Sequence, residues 1–101
     1  MKLLFISGPY RAPTIEGIKN NIQGAARWAA EYWKKGYAVI CPHMNTALFD
    51  GICPDEVWLA GDLEILRRCD VLFAMPGWEK SEGARAEVAE AIRLGLEIIY
   101  G

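Results

Sequence analysis

Apolar positions divide the chain into seven predicted segments that alternate between two patterns. Val71-Leu72-Phe73-Ala74-Met75 is short, is flanked by a turn and has no polar face, as in a buried parallel strand. Lys2 to Ser7, Tyr37 to Cys41 and Leu96 to Tyr100 read as three further strands, with Asp70 to Met75 framing the run above. The segments between them have helical signals. Ile15, Ile18, Ile22, Ala25, Ala29 and Trp33 recur at three-and-four spacing, which gives a helix one buried face. Thr14 is its predicted N-cap, and Lys34-Lys35-Gly36 is a basic last turn with a glycine stop. A second helix opens at Pro54-Asp55 and runs to about Arg68. A third has Ser81 as N-cap and runs to Leu94, with Gly95 after it. Pro42 to Cys53 reads as a long loop.

Strands alternating with helices imply a parallel sheet, here of four strands in the flavodoxin-like order 2-1-3-4 with helices on both faces. Ligands bind such sheets outside the carboxyl ends of the strands. Three strand-to-helix loops meet there: Gly8 to Arg11, His43 to Asp50, and Pro76 to Glu87.

Length and composition narrow the picture. A chain of 101 residues is one domain, residues 1–101, and the 52% apolar and 24% charged fractions are those of an ordinary globular protein. A net charge of −2 offers no attraction to a nucleic-acid polymer or an anionic membrane. No segment is long enough to span a membrane, and the start is too short and too soon broken for a signal peptide, so a cytoplasmic location is expected. Cys41, Cys53 and Cys69 lack C-x-x-C spacing and are odd in number, which argues for reduced thiols rather than a disulfide framework or a zinc site. Four tryptophans suit a core, a cleft or a subunit interface.

Glu87 alone is either a solvated helix carboxylate or a nucleophile or base facing the cleft. Gly83, one turn earlier, favours the second reading because its missing side chain leaves room for a ligand. Asp62 is either a surface residue or a second carboxylate working with Glu87. Two carboxylates at one cleft suit acetal chemistry. Arg11 follows the first strand, where a guanidinium can pair with phosphate. Gly8-Pro9-Tyr10-Arg11 is neither a Walker loop nor a dinucleotide fingerprint, so no cofactor is expected. His43 stands as the single histidine, a loop hydrogen-bonder or a catalyst, and makes a histidine-based metal site improbable. Tyr10 and Trp78 are either packing residues under loops or aromatic walls for a flat base.

Ser7-Gly8-Pro9-Tyr10-Arg11, Pro42-His43, Gly61-Asp62-Leu63, Cys69-Asp70 and Pro76 to Glu87 together resemble the nucleoside 2-deoxyribosyltransferase superfamily. Its nucleoside-monophosphate N-glycosidase branch and the small DUF4406 domains are most similar. The resemblance covers nearly the whole chain, and the spacing of Ser81, Gly83 and Glu87 is its sharpest part. It implies a Rossmann-like domain that dimerises. Glu87 falls on the nucleophile that attacks C1′, and Asp62 on the aspartate that contacts the sugar and assists the leaving base. Arg11 and Ser81 fall on phosphate-binding positions. Where the transferases hold a carboxylate, Ser81 is neutral and tolerates a phosphate dianion. The resemblance therefore implies hydrolysis of a (deoxy)nucleoside 5′-monophosphate, with base transfer between nucleosides or nucleotide binding without turnover as alternatives. Two departures stand out. Arg85 replaces a second glycine and would either reach phosphate or block the pocket. The polar residue that full-length relatives supply across the dimer from a later segment would be missing from a chain that ends at Gly101.

Overall fold

The computed structural model describes residues 1–101. The order is β1 (Leu3–Ser7), α1 (Ile15–Lys34), β2 (Ala38–Ile40), α2 (Pro42–Asn45), α3 (Asp55–Leu66), β3 (Val71–Ala74), a 3-10 turn (Trp78–Lys80), α4 (Glu82–Leu94) and β4 (Glu97–Tyr100). The four strands form one sheet in the order β2-β1-β3-β4, with every pairing parallel. This is the expected doubly wound α/β topology. Strand ends fall within a residue or two of the expected positions.

Alternation along the two central strands builds two cores. Leu4 and Ile6 of β1 point to the same face as Val71 and Phe73 of β3, where α1 covers them with Ala25, Ala29 and Tyr32. Phe5, Leu72 and Ala74 point the other way and meet Leu66 of α3 with Val88 and Ala91 of α4. Both central strands are buried on both faces, which is why they read as unbroken apolar runs.

The buried stripe of α1 differs from the expected one at its ends. Ile15 and Trp33 are exposed, and Tyr32 rather than Trp33 continues the line from Ala29. Both positions satisfy three-or-four spacing from Ala29. Tyr32 takes the core place because it follows Trp28 by one turn, and both rings pack on Phe73, at centroid distances of 4.9 and 4.7 Å. A second difference is α2, one helical turn where a loop was expected. Cys41 precedes it in extended backbone and Pro42 occupies its first position, where a missing N–H costs nothing.

The caps of α4 fall where the sequence puts them. Ser81 Oγ accepts the backbone N–H of Ala84 at 3.2 Å, and Gly95 closes the helix in the left-handed region at φ 72°. Arg67 at the end of α3 bonds Glu90 of α4 at 2.9 Å, and Arg93 bonds the same carboxylate, so α3 and α4 are tied side by side. Cys41, Cys53 and Cys69 are free thiols. No helix is long and apolar enough to cross a membrane.

Candidate functional site

The carboxyl edge of the sheet opens into a cleft of about 850 Å³. Four pieces of chain line it: the loop after β1, α2 with the segment after it, α3, and the start of α4. On α3 the lining residues Asp55, Trp58, Leu59 and Asp62 recur at three-and-four spacing on one helix face, with Glu56 beside them, so the helix brings three carboxylates and two apolar side chains to the cleft. Phe49 adds a second ring, 6.1 Å from that of Trp58.

Glu87 sits at the base of the cleft. It belongs to the stripe Ala84, Glu87, Val88, Ala91 by which α4 packs on the sheet, and it is 8% exposed. The solvated reading of Glu87 is therefore overturned: a carboxyl occupies a core position. The buried hydroxyl of Ser7, the last residue of β1, donates to Glu87 Oε1 at 2.7 Å. Burial pushes the Glu87 carboxyl up to about 8. The Ser7 hydrogen bond opposes this, and the charge of Asp62 adds to it. Asp62 is half-buried, and burial pushes it up to about 6. The charge of Asp62 acts on Glu87, so the protons of the two acids are not independent.

Gly83 lies on the cleft wall, and a methyl group there would meet nothing. The helix surface at this position is open. Gly8 has a different reason. A Cβ there would come within 2.8 Å of Met75 Cβ, so this glycine lets β1 and β3 run on side by side beneath the cleft.

Arg11 lines the cleft rim but is not unpaired. Its guanidinium bonds Asp55 and lies 3.9 Å from Asp50. Tyr10 donates to Asp50 at 2.8 Å and accepts from the amide of Leu48 at 3.1 Å. Leu48 is the one non-glycine residue with positive φ, 60°, so the Tyr10 hydroxyl braces a strained turn. Asn21 of α1 donates to the Tyr10 carbonyl at 2.9 Å and fixes the loop that carries both residues.

His43 is buried, with Nε2–H donating to the Pro9 carbonyl at 2.9 Å. Nδ1 has no partner. Burial lowers its pKa and keeps it neutral. Trp78 is not part of the cleft wall. It packs on Tyr100 at 5.8 Å and on the second core, while Tyr10, Phe49 and Trp58 supply the rings at the cleft. Arg85 neither reaches the cleft nor blocks it, since it donates to the Glu79 carbonyl at 2.8 Å. Asp70 accepts the Leu3 amide at the opposite edge of the sheet and is structural. No three His, Cys, Asp or Glu side chains are grouped to hold a metal ion.

Ser7, Asp50, Asp55, Phe49 and Trp58 are the site residues that sequence reasoning passes over. The α3 stripe was available from helical spacing. The loop from His43 to Asp50 was expected at this edge, but only its folded course decides that Phe49 and Asp50 reach the cleft.

The family model for DUF4406, a domain of unknown function, matches residues 2–100. The chain is a member of the DUF4406 family. No curated protein matches it. Among solved structures, a 2-desoxiribosyltransferase from Leishmania mexicana superposes with a TM-score of 0.66 at 18% identity. The match covers 99% of this DUF4406 chain and 63% of the Leishmania protein, so the chain spans less than two thirds of that protein's length. That likeness establishes a common fold.

Proposed function

We propose that this protein is an N-glycosidase that removes the base from a (deoxy)nucleoside 5′-monophosphate. The observation that carries the reading is Glu87: a carboxyl buried in a core stripe, held by Ser7, facing a cleft beside Asp62. A buried carboxyl without a functional reason is costly, and perturbed acids in a cleft mark candidate catalytic groups.

In the first step a Glu87 oxygen bonds to C1′ as the C1′–N bond breaks through an oxocarbenium-like transition state. The electron pair leaves with the base, which takes its proton from Asp62. Water then gives one proton to the Asp62 carboxylate and its oxygen to C1′, releasing Glu87 and the sugar phosphate. Asp62, pushed up to about 6, exchanges protons near neutral pH, and attack uses the form in which Asp62 holds the proton and Glu87 the charge. The aromatic and apolar wall of Phe49, Trp58 and Leu59 fits a flat base. The amino end of α4 offers the backbone amides of Glu82 and Gly83, which have no intrahelical partners, to a phosphate. Arg11 joins it by exchanging Asp55 for the phosphate.

A second reading, base transfer between unphosphorylated nucleosides, is favoured by the charge of the rim. Asp50, Asp55, Glu56, Asp62, Glu82 and Glu87 line the cleft against Arg11 and Lys80, and Arg11 is already paired. Incubating the protein with monophosphates and with nucleosides, with and without a second base, separates the two by chromatography. Free base from monophosphate alone supports hydrolysis. An exchanged nucleoside supports transfer. Saturable binding without either product indicates a nucleotide-binding module.

The assembly proposed is a homodimer. Ile15 and Trp33 of α1, Val57 of α3 and Ile92 of α4 are each at least half exposed, more large apolar surface on helices than a lone domain of this size needs.

A further inference from the structure

Ser7 ends an otherwise apolar strand, Leu3-Leu4-Phe5-Ile6-Ser7, and is 0% exposed. A hydroxyl at such a place is costly unless it is hydrogen-bonded. Its side chain follows Phe5 on the α3/α4 face of the sheet, and its register partner on β3 is Ala74. The position would accept an alanine by size and polarity. What the hydroxyl does there is donate to Glu87 Oε1 at 2.7 Å. Ser7 does not line the cleft. Glu87 Oε2 makes no hydrogen bond with the protein, yet it is not a buried unpaired atom, so it retains contact with the cleft solvent.

We propose that Ser7 is the positioning residue of Glu87, holding Oε1 from behind so that Oε2 is the oxygen presented to C1′. This rests on the reading of Glu87 as the nucleophile. A single donor on one carboxylate oxygen removes the rotational freedom of a side chain that must attack along one line. The same bond bears on charge. Burial and Asp62 both favour a proton on Glu87, whereas attack needs the proton on Asp62 and the charge on Glu87. A hydrogen bond to the ionised form works against both. The other titratable groups lining the cleft are His43 on α2, whose pKa burial lowers, Tyr10 and Arg11 on the loop after β1, Asp50 after α2, Asp55 and Glu56 on α3, Lys80 in the 3-10 turn and Glu82 on α4. Of all these, Asp62 is the one whose charge acts on Glu87.

The test uses Ser7→Ala and Ser7→Cys, the second keeping the volume with a weak donor, each compared with wild type. Carbon-detected NMR titration of the Glu87 carboxyl, without ligand, reads the charge directly. Base release from a nucleoside monophosphate across pH reads the chemistry. The expected result is a Glu87 titration moved to higher pH in both variants, more in Ser7→Ala. The acid limb of kcat should move with it, and kcat should fall by roughly ten- to a hundredfold, as for loss of a hydrogen bond to a charged group, with KM little changed. An unmoved Glu87 titration in whichever variant folds overturns the proposal, as does an unmoved acid limb with wild-type kcat. Absence of base release by wild type is a failure of the glycosidase reading instead, and the Ser7 coupling is then decided by the titration alone.

Discussion

Arg11 is ion-paired to Asp55, the first residue of α3, and the pair bridges the loop after β1 to the far wall of the cleft. Both side chains are more than half exposed, and pairs of this kind hold with little energy. The pair therefore resists a ligand weakly, but it does compete with one. Asp55→Asn removes the closer of the two carboxylates that compete for Arg11 and leaves Asp50 at 3.9 Å. Affinity for a nucleoside 5′-monophosphate, measured by calorimetry, should rise about two- to tenfold. Affinity for the unphosphorylated nucleoside should be unchanged. Arg11→Ala should weaken the monophosphate about ten- to a hundredfold and spare the nucleoside. Equal effects of Arg11→Ala on both ligands would remove the phosphate assignment and return weight to base transfer.

Gly83→Ala separates folding from binding. The position is helical and a methyl there meets nothing, so the variant should fold and gain up to about 1 kcal/mol from helix propensity. The methyl stands on the cleft wall near Glu87, so nucleotide binding should weaken. Thermal melting and calorimetry on one preparation read the two effects. A variant that binds as wild type does would show that the ligand does not approach this face of α4.

Glu87 also sets a pH dependence of stability. Its carboxyl is raised from 4.5 to about 8, so the native state holds its proton where the unfolded chain has lost it. The contribution of this group is full below pH 4.5, falls as pH rises, and is gone above about pH 8. Glu87→Gln keeps the shape and an oxygen for Ser7 but does not titrate. It should match wild type near pH 4 and exceed it by about 2–4 kcal/mol at pH 9. Urea unfolding at both pH values measures this. A constant difference at all pH would mean that Glu87 is not buried as an acid.

Much of this was legible in advance, for physical reasons that differ by residue. Strands buried on both faces cannot hide their apolar runs, so β1 and β3, and from them the strand order, follow from pattern. The Ser81 cap and Gly95 stop of α4 are local chemistry and were readable as such. Glu87 was harder. Alone it is any helix carboxylate, and only its place between Ala84, Val88 and Ala91 shows that it points inward. Tyr32 displaced Trp33 because aromatic packing around Phe73, not spacing, decides between adjacent residues. Phe49, Asp50 and the Arg11–Asp55 pair depend on how a twelve-residue loop, Pro42 to Cys53, folds back on the rim, and no short-range rule specifies that.

The dimer prediction is simple to check. Light scattering at micromolar concentration should give twice the 11.3 kDa chain mass. Trp33→Glu, on an exposed helix position, should reduce it to the monomer without unfolding if α1 forms the interface. The monomer mass for wild type would contradict the assembly.

The central claim is that Glu87 carries the chemistry, and single-turnover base release by wild type and Glu87→Gln tests it most directly. Base released from a nucleoside 5′-monophosphate is followed by chromatography, with acid-quenched samples examined by intact-mass spectrometry for a sugar-phosphate adduct on the protein. The account predicts base release and an adduct on Glu87 in wild type. It predicts a rate lower by several orders of magnitude and no adduct in Glu87→Gln, with nucleotide affinity equal or higher. Wild-type base release by Glu87→Gln would contradict it.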